Sequence, residues 1–400
     1  MPTEPIGEVR EGLRARGLVA RVQGRNGPRH LHSLDIARGL AAIAVVLWHW
    51  QHFFYVGGRL SAEYRTDRLP LYSLLHLFYD YGDRAVQLFF SLSGFVFFWL
   101  YAHAVSSGTL TLRTFALQRV SRLYPLHLLT FLSVAVMQPW YHRVVGEDFV
   151  FLYNDAYHFF LNCVMLAGVA QGTQLSFNGP SWSVSVEIVL YMIFFLYCAA
   201  TRPRLPGQLV AAGVGFVLIA HFRSTVGNGV GSFFLGGAAY SISSRLSLKE
   251  ATRTLEKAFI VAIGLLWLAL FACPPGVLAA PALVSLRVSA ETVGIGLFPA
   301  TILALVLAES AWPRLFERTA RLSKLGPISF SIYLIHFPLQ LAIMIGVVHG
   351  WLDDSVFFSK ASLAVFFVVA ISLSLASHYF FEMPAQRRLR GRTTSARQSA

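Results

Sequence analysis

The stretch LDIARGLAAIAVVLWHW, residues 34–50, decides the fold class of this chain. It is an apolar run that carries an arginine, Arg38, near one end and a histidine, His49, near the other. Several further apolar runs reach roughly the 20 residues that a helix needs to cross a bilayer. Of the 400 residues, 55% are hydrophobic and only 13% are charged, whereas soluble domains have about 25% charged residues. The chain is therefore predicted to be an all-α, polytopic membrane helix bundle.

Ten apolar segments have the length and composition expected of membrane-spanning helices. Residues 1–33, which are polar and rich in arginine, are predicted to form a flexible cytoplasmic tail without a signal peptide. Residues 34–384 are predicted to form one membrane domain, and residues 385–400 a second basic cytoplasmic tail. The predicted spans are 34–53, 85–104, 122–138, 183–200, 207–221, 229–242, 257–273, 290–308, 325–346 and 358–381.

The distribution of basic residues predicts which side of the membrane each loop faces, because short cytoplasmic loops carry an excess of Lys and Arg. Segments 243–257 and 309–324 are rich in basic residues, whereas 139–182 has a single one. The predicted membrane sides of successive loops alternate correctly only if the apolar piece 157–170 does not cross the membrane. That piece is predicted to be re-entrant or interfacial on the outer side, which leaves both termini cytoplasmic. Loop 54–83, expected outside, contradicts the rule because it carries three arginines.

The formal net charge of +13 comes from tails and short loops between apolar runs, which is the pattern that membrane topology produces. No nucleic-acid partner is expected. The cysteines Cys163, Cys198 and Cys273 lie in or beside apolar segments and lack the spacing of metal ligands. They are interpreted as small buried hydrophobic residues, and no metal is expected.

Arg38 and His49 are predicted to share one face of the first helix. A separation of eleven residues turns a helix by about three turns plus 20° and places the two side chains roughly 16 Å apart. With the N-terminus inside, Arg38 lies near the inner surface and His49 lies in the outer half. They could be an interfacial anchor and a structurally bonded histidine. Alternatively, they line a pore in which His49 acts as general base, since its pKa is close to working pH.

Arg119 and Arg122 are three residues apart and therefore lie on one helical face. Their segment falls on the inner side of the predicted bundle. Two arginines there could bind phosphate through forked, charge-assisted hydrogen bonds. They could equally be ordinary anchors of the positive-inside kind.

Glu187 lies inside the predicted span 183–200, on the same face as Ser183. A carboxylate within the membrane needs a partner, and His49 is predicted to lie at a matching outer level. A glutamate beside this histidine would orient its ring and stabilise its protonated form. Packing against a neighbouring helix is the alternative interpretation of Glu187.

Tyr333 and His336 share one helical face with Ser329, and His336 falls near the middle of the membrane. An intramembrane histidine is a candidate functional residue by default. A structural role in helix packing is the alternative. Tyr333, His336 and Ser183 are therefore treated as further polar residues that could line a pore.

Six motifs follow one another along roughly residues 33–388. Their order and spacing resemble those of the acyltransferase-3 family of integral membrane acyltransferases. The motifs are Arg38-x10-His49, VQLFFSLSGFVF (86–97), RVSRLYP (119–125), SWSVSVE (181–187), ISFSIYLIH (328–336) and FEMP (381–384).

The resemblance implies ten spanning helices with cytoplasmic termini in a bacterial inner membrane. It also implies transfer of an acyl group, usually acetyl, from acyl-CoA as co-substrate to a hydroxyl of a sugar or other exported acceptor. A cell-surface polysaccharide or a lipid-linked glycan is the expected acceptor. The family pattern implies required roles for Arg38 and His49 and an association of Arg119 and Arg122 with the CoA donor. Glu187 matches the family's SxxE position, and His336 matches its late histidine. No fused extracytoplasmic hydrolase-like domain is expected after the membrane domain.

Two rival interpretations belong to other functional classes. A transporter of a small solute or glycan would also carry polar residues on membrane helices, although no internal repeat is visible in this chain. A sensor or assembly protein could use the same residues to hold its helices together. Within the enzyme interpretation, direct transfer to the acceptor and a covalent acyl-histidine relay both remain open.

Overall fold

The computed structural model describes residues 30–62, 64–169, 174–222, 224–246, 253–274 and 290–398. Nearly all of the predicted N-terminal tail therefore lies outside the described residues.

The described chain is a bundle of helices, as its composition predicts. Two short antiparallel strands, β1 (Tyr55–Val56) and β2 (Arg59–Leu60), form a hairpin after the first helix. The helices are α1 His32–Trp48, α2 Tyr72–Tyr81, α3 Ala85–Leu100, α4 Ala102–Ser106, α5 Leu112–Val145, α6 Ala156–Cys163, α7 Trp182–Ala200, α8 Leu205–Phe222, α9 Thr225–Leu246, α10 Arg253–Ala272, α11 Ala290–Ala311, α12 Pro313–Arg318, α13 Leu325–Val348, α14 Lys360–Ala376 and α15 Met383–Gln398.

Each of the ten predicted spans overlaps one of these helices, and the all-α membrane fold is confirmed. In the described part of the chain, eight helical segments are long and apolar enough to cross a membrane. The two remaining predicted spans correspond to α3 and α9, which pack closely against each other. α3 has only 16 residues, and α9 is rich in glycine.

Glycines allow the backbones of α3 and α9 to approach closely. A Cβ atom at Gly94 on α3 would collide with the carbonyl oxygen of Phe233 on α9. In the opposite direction, a Cβ at Gly236 on α9 would collide with the carbonyl oxygen of Ser91 on α3. Small residues at helix contacts are a general feature of membrane bundles, because association there depends on close packing. Low hydropathy in α9 therefore reflects packing inside the bundle.

The ambiguous apolar piece 157–170 contains the short helix α6. Eight residues of helix are about 12 Å long, whereas the hydrocarbon core of a bilayer is about 30 Å thick. α6 is therefore too short to cross the membrane, in agreement with the prediction that this piece does not span.

A buried carboxylate holds the start of α1 in place. Glu309, at the end of α11, is only 1% exposed. Its two carboxylate oxygens accept hydrogen bonds from the backbone N–H groups of His32 and Ser33, both at 2.9 Å. These N–H groups belong to the first turn of α1, where no intrahelical acceptor exists and negative charge is favourable. This contact joins residues that are more than 250 positions apart in the chain and sets the position of α1.

A second buried carboxylate joins the end of the chain to α13. Glu382 follows α14 in a π-helical turn, Ser377–Glu382. Its Oε1 accepts hydrogen bonds from Ser331 at 2.6 Å and from Ser377 at 3.0 Å. The chain then continues into α15, so that most of the predicted C-terminal basic tail is helical.

Candidate active site

His49 lies where the first helix changes from α-helical to 3-10 geometry. α1 ends at Trp48, and a 3-10 helix, His49–Phe54, follows directly. The predicted regular helix between Arg38 and His49 is therefore present up to the residue before the histidine. The His49 side chain is buried, with 8% of the residue exposed.

His336 on α13 is the hydrogen-bond partner of the His49 ring. Nε2 of His336 lies 2.9 Å from Nδ1 of His49, and the two ring planes are within 19° of parallel. Gln340, one turn further along α13, donates to the backbone carbonyl of His49 at 2.8 Å. Its amide oxygen lies 3.1 Å from Nδ1 of His52. One helix thus holds both the ring and the backbone of His49.

His49 lines a cavity of about 180 Å³. That volume would hold about six water molecules at 30 Å³ each, which suits a small polar group better than a whole drug-sized ligand. The wall combines aromatic rings with charged and amide side chains. The other lining residues are Val45, Trp48, Asp83, Arg84, Val86, Gln87, Phe90, Trp182, Asn228 and Tyr333.

Gln87 stands out in the cavity wall. It is 3% exposed, and neither atom of its amide group has a hydrogen-bond partner among the described residues. Its Oε1 faces Gly294 on α11 and would lie only 2.5 Å from a Cβ atom added at that glycine. Buried polar groups are nearly always hydrogen-bonded, so the Gln87 amide is available to bond a water molecule or a ligand group in the cavity. Sequence analysis missed Gln87, although it lies in the VQLFF motif, because one amide in an apolar run carries no distinctive signal.

Glu187 lies deeper in the bundle than the cavity. Its Oε1 accepts hydrogen bonds from Ser93 on α3, at 3.0 Å, and from the hydroxyl of Tyr191. The expected pairing of Glu187 with His49 is therefore wrong, since the histidine ring bonds His336 instead. The reason is depth: Glu187 is five residues, or about 7.5 Å of helix, beyond Trp182, which lines the cavity together with His49.

Tyr333 and Ser183 connect the cavity wall to the turn that precedes α7. The Tyr333 hydroxyl donates to the carbonyl oxygen of Pro180 at 2.5 Å and lies 2.7 Å from Oγ of Ser183. A tyrosine hydroxyl has a single proton, so the serine donates to the tyrosine. Both predicted pore residues are therefore engaged in a buried network at the edge of the cavity.

Arg119 is buried among aromatic rings, one of which, Tyr191, bonds Glu187. Its Nη2 donates to the Tyr101 hydroxyl at 2.7 Å. The guanidinium carbon lies 4.8 Å from the ring centre of Tyr101 and 5.1 Å from that of Phe97. Cation–π contacts of this kind hold an arginine rigidly in a fixed orientation.

Arg38 and Arg122 complete a charged group around Glu187. Arg38 bonds Asp35 on its own helix, with Nη1 and Oδ1 3.4 Å apart. Its charge interacts with those of Arg122 and Glu187, and the charges of Arg119 and Arg122 act on Tyr191. The eight predicted site residues thus fall into two groups. His49, His336, Tyr333 and Ser183 surround the cavity end, and Arg38, Arg119, Arg122 and Glu187 form the deeper, charged end.

A family model for the acyltransferase domain of the acyltransferase-3 type matches residues 31–377 of this chain. The chain belongs to the acyltransferase-3 family. The resemblance seen in its motifs is confirmed, and the protein is an integral membrane acyltransferase.

Two curated proteins are similar to this acyltransferase. It is 28% identical over 328 residues to Acyltransferase MdmB of Streptomyces mycarofaciens. The aligned region covers 77% of this chain and 78% of that protein. It is 27% identical over 206 residues to Protein 2 in picA locus of Rhizobium radiobacter. This aligned region covers 48% of this chain and 95% of that protein. No solved structure matches the acyltransferase.

Among the described residues of the acyltransferase, no group of three or more His, Cys, Asp or Glu side chains could hold a metal ion. Cys198 is buried, whereas Cys163 and Cys273 are half-buried, and none of the three forms a disulfide. The side chains that line the cavity include imidazole, amide, hydroxyl, carboxylate and guanidinium groups.

Proposed function

We propose that this acyltransferase moves an acyl group, acetyl in the first instance, from acyl-CoA on the cytoplasmic side to a hydroxyl of an exported acceptor. A sugar of a cell-surface polysaccharide or lipid-linked glycan is the proposed acceptor. The proposed location is the inner membrane of a bacterium, with both termini cytoplasmic. The observation that carries the proposal is the position of His49, which lines the cavity while its Nδ1 is held by His336.

The proposed mechanism uses one arrangement of protons on the two histidines. We assign the proton of His336 to Nδ1, which has no hydrogen-bond partner among the described residues, so that Nε2 keeps its lone pair. Its Nε2 then accepts a hydrogen bond from Nδ1–H of His49. We assign the remaining lone pair of His49 to Nε2, since each neutral imidazole has one donor and one acceptor nitrogen. A general base needs that free lone pair.

The proposed reaction begins with the acceptor hydroxyl in the cavity. Nε2 of His49 takes the hydroxyl proton while the oxygen attacks the thioester carbonyl carbon. The carbon–sulfur bond then breaks, and the leaving CoA sulfur receives the proton from His49. In the alternative relay, Nε2 attacks the thioester carbonyl carbon first, and the carbon–sulfur bond breaks to release the CoA thiolate. The acceptor oxygen then attacks the acyl carbon, the acyl–nitrogen bond breaks, and the hydroxyl proton passes to the thiolate.

The charged end of the site supports binding of the donor. Arg119 and Arg122 are held beside Arg38, and guanidinium groups bind phosphate through paired charge-assisted hydrogen bonds. In this proposal, the phosphates of acyl-CoA bind at the arginines and its thioester reaches towards His49. The carboxylate of Glu187, which accepts hydrogen bonds from Ser93 and Tyr191, adds a negative charge within electrostatic range of Arg38.

The test uses purified protein in bilayer nanodiscs, radiolabelled acetyl-CoA and a pool of surface glycans. We expect acceptor-dependent release of free CoA and transfer of the label to the glycan. His49→Gln should lower turnover by roughly 10² or more, the usual contribution of general acid–base catalysis. Full transfer by His49→Gln would contradict the mechanism. Passage of a solute in proteoliposomes without any CoA release would instead support a transporter.

A further inference from the structure

Arginines on three separate elements belong to the charged end of the site. Arg38 lies on α1, Arg119 and Arg122 lie on α5, and Arg390 lies on α15. Arg390 is hydrogen-bonded to α5 and lies within electrostatic range of Arg119 and Arg122, as Arg122 does of Arg38. The C-terminal helix thus adds a cation to a site that the motifs place on α1 and α5 alone.

Hydrogen bonds hold the Arg390 side chain on the surface of α5. Its Nε donates to Oγ of Ser121 at 3.1 Å, and its Nη2 donates to the carbonyl oxygen of Gln118 at 3.2 Å. Nη2 also lies 3.3 Å from Oε1 of Gln386, one turn earlier on α15. Gln118 directly precedes Arg119 in sequence, and Ser121 directly precedes Arg122. Arg390 is therefore held next to both arginines of the RVSRLYP motif.

Bringing like charges together costs free energy, and the cost rises where water is partly excluded. An anionic ligand with several phosphate groups offsets this cost. Coenzyme A has a diphosphate and, on its ribose, a separate 3′-phosphomonoester. Arg119 is buried, whereas Arg390 is half-buried and comes from the outermost helix of the group. Since the thioester must reach into the bundle, the adenosine end of the molecule stays outermost.

We propose that Arg390 binds the 3′-phosphomonoester of the acyl-CoA donor, while the arginines of α5 bind the diphosphate. This inference rests on the proposed function, because it requires acyl-CoA to be the donor. It assigns a donor-binding role to α15, which lies beyond the residues matched by the family model. The C-terminal helix is then part of the binding site and not only a basic anchor at the membrane surface.

Arg388 on the same helix provides a matched control, because it is exposed. Arg390→Gln and Arg388→Gln each remove one positive charge from α15. With acetyl-CoA, we expect Arg390→Gln to raise KM about tenfold with little change in kcat, as for loss of one charge-assisted contact. Arg388→Gln should leave KM within about twofold of the wild-type value, since exposed charges are screened.

The same measurement with acetyl-3′-dephospho-CoA identifies the phosphate. We expect the wild type and Arg390→Gln to have equal KM for this donor. An equal rise of KM for both donors would overturn the assignment, and so would an unchanged KM for acetyl-CoA. Thermal unfolding of Arg390→Gln shows whether α15 is displaced. Ser121→Ala gives a second check, because it removes one hydrogen bond that holds Arg390 on α5 but keeps the positive charge of Arg390. If wild-type protein neither binds nor turns over acetyl-CoA, the proposed function fails instead.

Discussion

At the residue scale, the role of His49 depends on a partner that is 287 positions away in the chain. The first-helix motif identifies the histidine, but the motif contains no group that could orient its ring. His336 supplies that orientation, and Gln340 fixes the backbone of His49 from the same helix. Neutral partners such as these suit a site inside a membrane, where an additional charge would be costly to bury.

His336 is a positioning residue in this proposal, and its substitution separates kcat from KM. His336→Ala should lower kcat roughly 10²-fold, because the His49 ring loses the acceptor that fixes its tautomer. KM for acetyl-CoA should stay nearly unchanged, since the donor binds at the arginines. Steady-state kinetics in nanodiscs measure both quantities. His336→Asn, whose amide oxygen can accept the same hydrogen bond, should recover part of the lost rate.

The control for this prediction is His127, a histidine that is equally buried but bonds the backbone carbonyl of Asn162 away from the cavity. His127→Asn should alter stability more than kcat. Equal losses of kcat in the two variants would show that His336 acts only through packing.

Gln87 and Gln138 give a matched comparison of a ligand-binding amide and a structural amide. Both are 3% exposed. The Gln138 amide bonds the backbone N–H and carbonyl of Phe149, at 2.9 and 3.1 Å, whereas the Gln87 amide has no partner among the described residues. Gln138→Leu should therefore lower the free energy of unfolding by about 1–3 kcal/mol.

Gln87→Leu should leave the thermal unfolding temperature unchanged or slightly raised, because it removes an unsatisfied buried group. Its acceptor-dependent turnover should fall about tenfold, the effect of one lost hydrogen bond to the acceptor. Thermal unfolding and transfer assays on the two variants measure these opposite patterns. A large loss of stability in Gln87→Leu with normal transfer would show that the amide is structural.

At the element scale, hydropathy and spacing predict the membrane helices that build the site, but not α15, which lies in the predicted basic tail. They do not predict how closely two helices approach. The α3–α9 contact depends on glycines whose neighbours lie more than 100 residues away in sequence. Likewise, Glu309 caps α1 from α11, and nothing in the local sequence of either helix indicates that pairing.

Gly94→Ala is expected to be severely destabilising, since the added methyl group would overlap the backbone of α9. Overpacking of this kind costs about 1–3 kcal/mol or more, so the unfolding temperature should fall sharply. Gly264 on α10 is the control, because in the described part of the chain no atom outside its own stretch of helix lies within 4 Å of an added Cβ there. Gly264→Ala should be neutral or slightly stabilising, given the higher helix propensity of alanine. Equal behaviour of the two variants in thermal unfolding would contradict the close α3–α9 contact.

At the scale of the whole molecule, the two ends of the site lie towards opposite ends of α1. Arg38 is near its start and His49 directly follows its last residue. In the proposed function, acyl-CoA on the cytoplasmic side would bind at the end of the site near Arg38. The exported acceptor would bind at the opposite end, near His49. The orientation follows from the positive-inside rule, and loop 54–83 with its three arginines is the exception.

Cysteine labelling in intact cells tests this orientation. In a variant without the native cysteines, Asp353→Cys, in the exposed turn between α13 and α14, should react with a membrane-impermeant thiol reagent from outside. Arg388→Cys on α15 should react only after the membrane is permeabilised, since both termini are expected to be cytoplasmic. Labelling of both positions in intact cells, or of neither, would contradict the proposed topology.

The sequence by itself determined the membrane class, the helices, the family and most of the candidate residues. These properties follow from hydropathy, helical period and ordered motifs, all of which are local in the chain. Only the tertiary structure decided that His49 pairs with His336 and not with Glu187, that Gln87 borders the cavity unpaired, and that Arg390 joins the arginines of α5. Such contacts join helices far apart in sequence, and they depend on depth and rotation within the bundle, which periodicity alone does not specify.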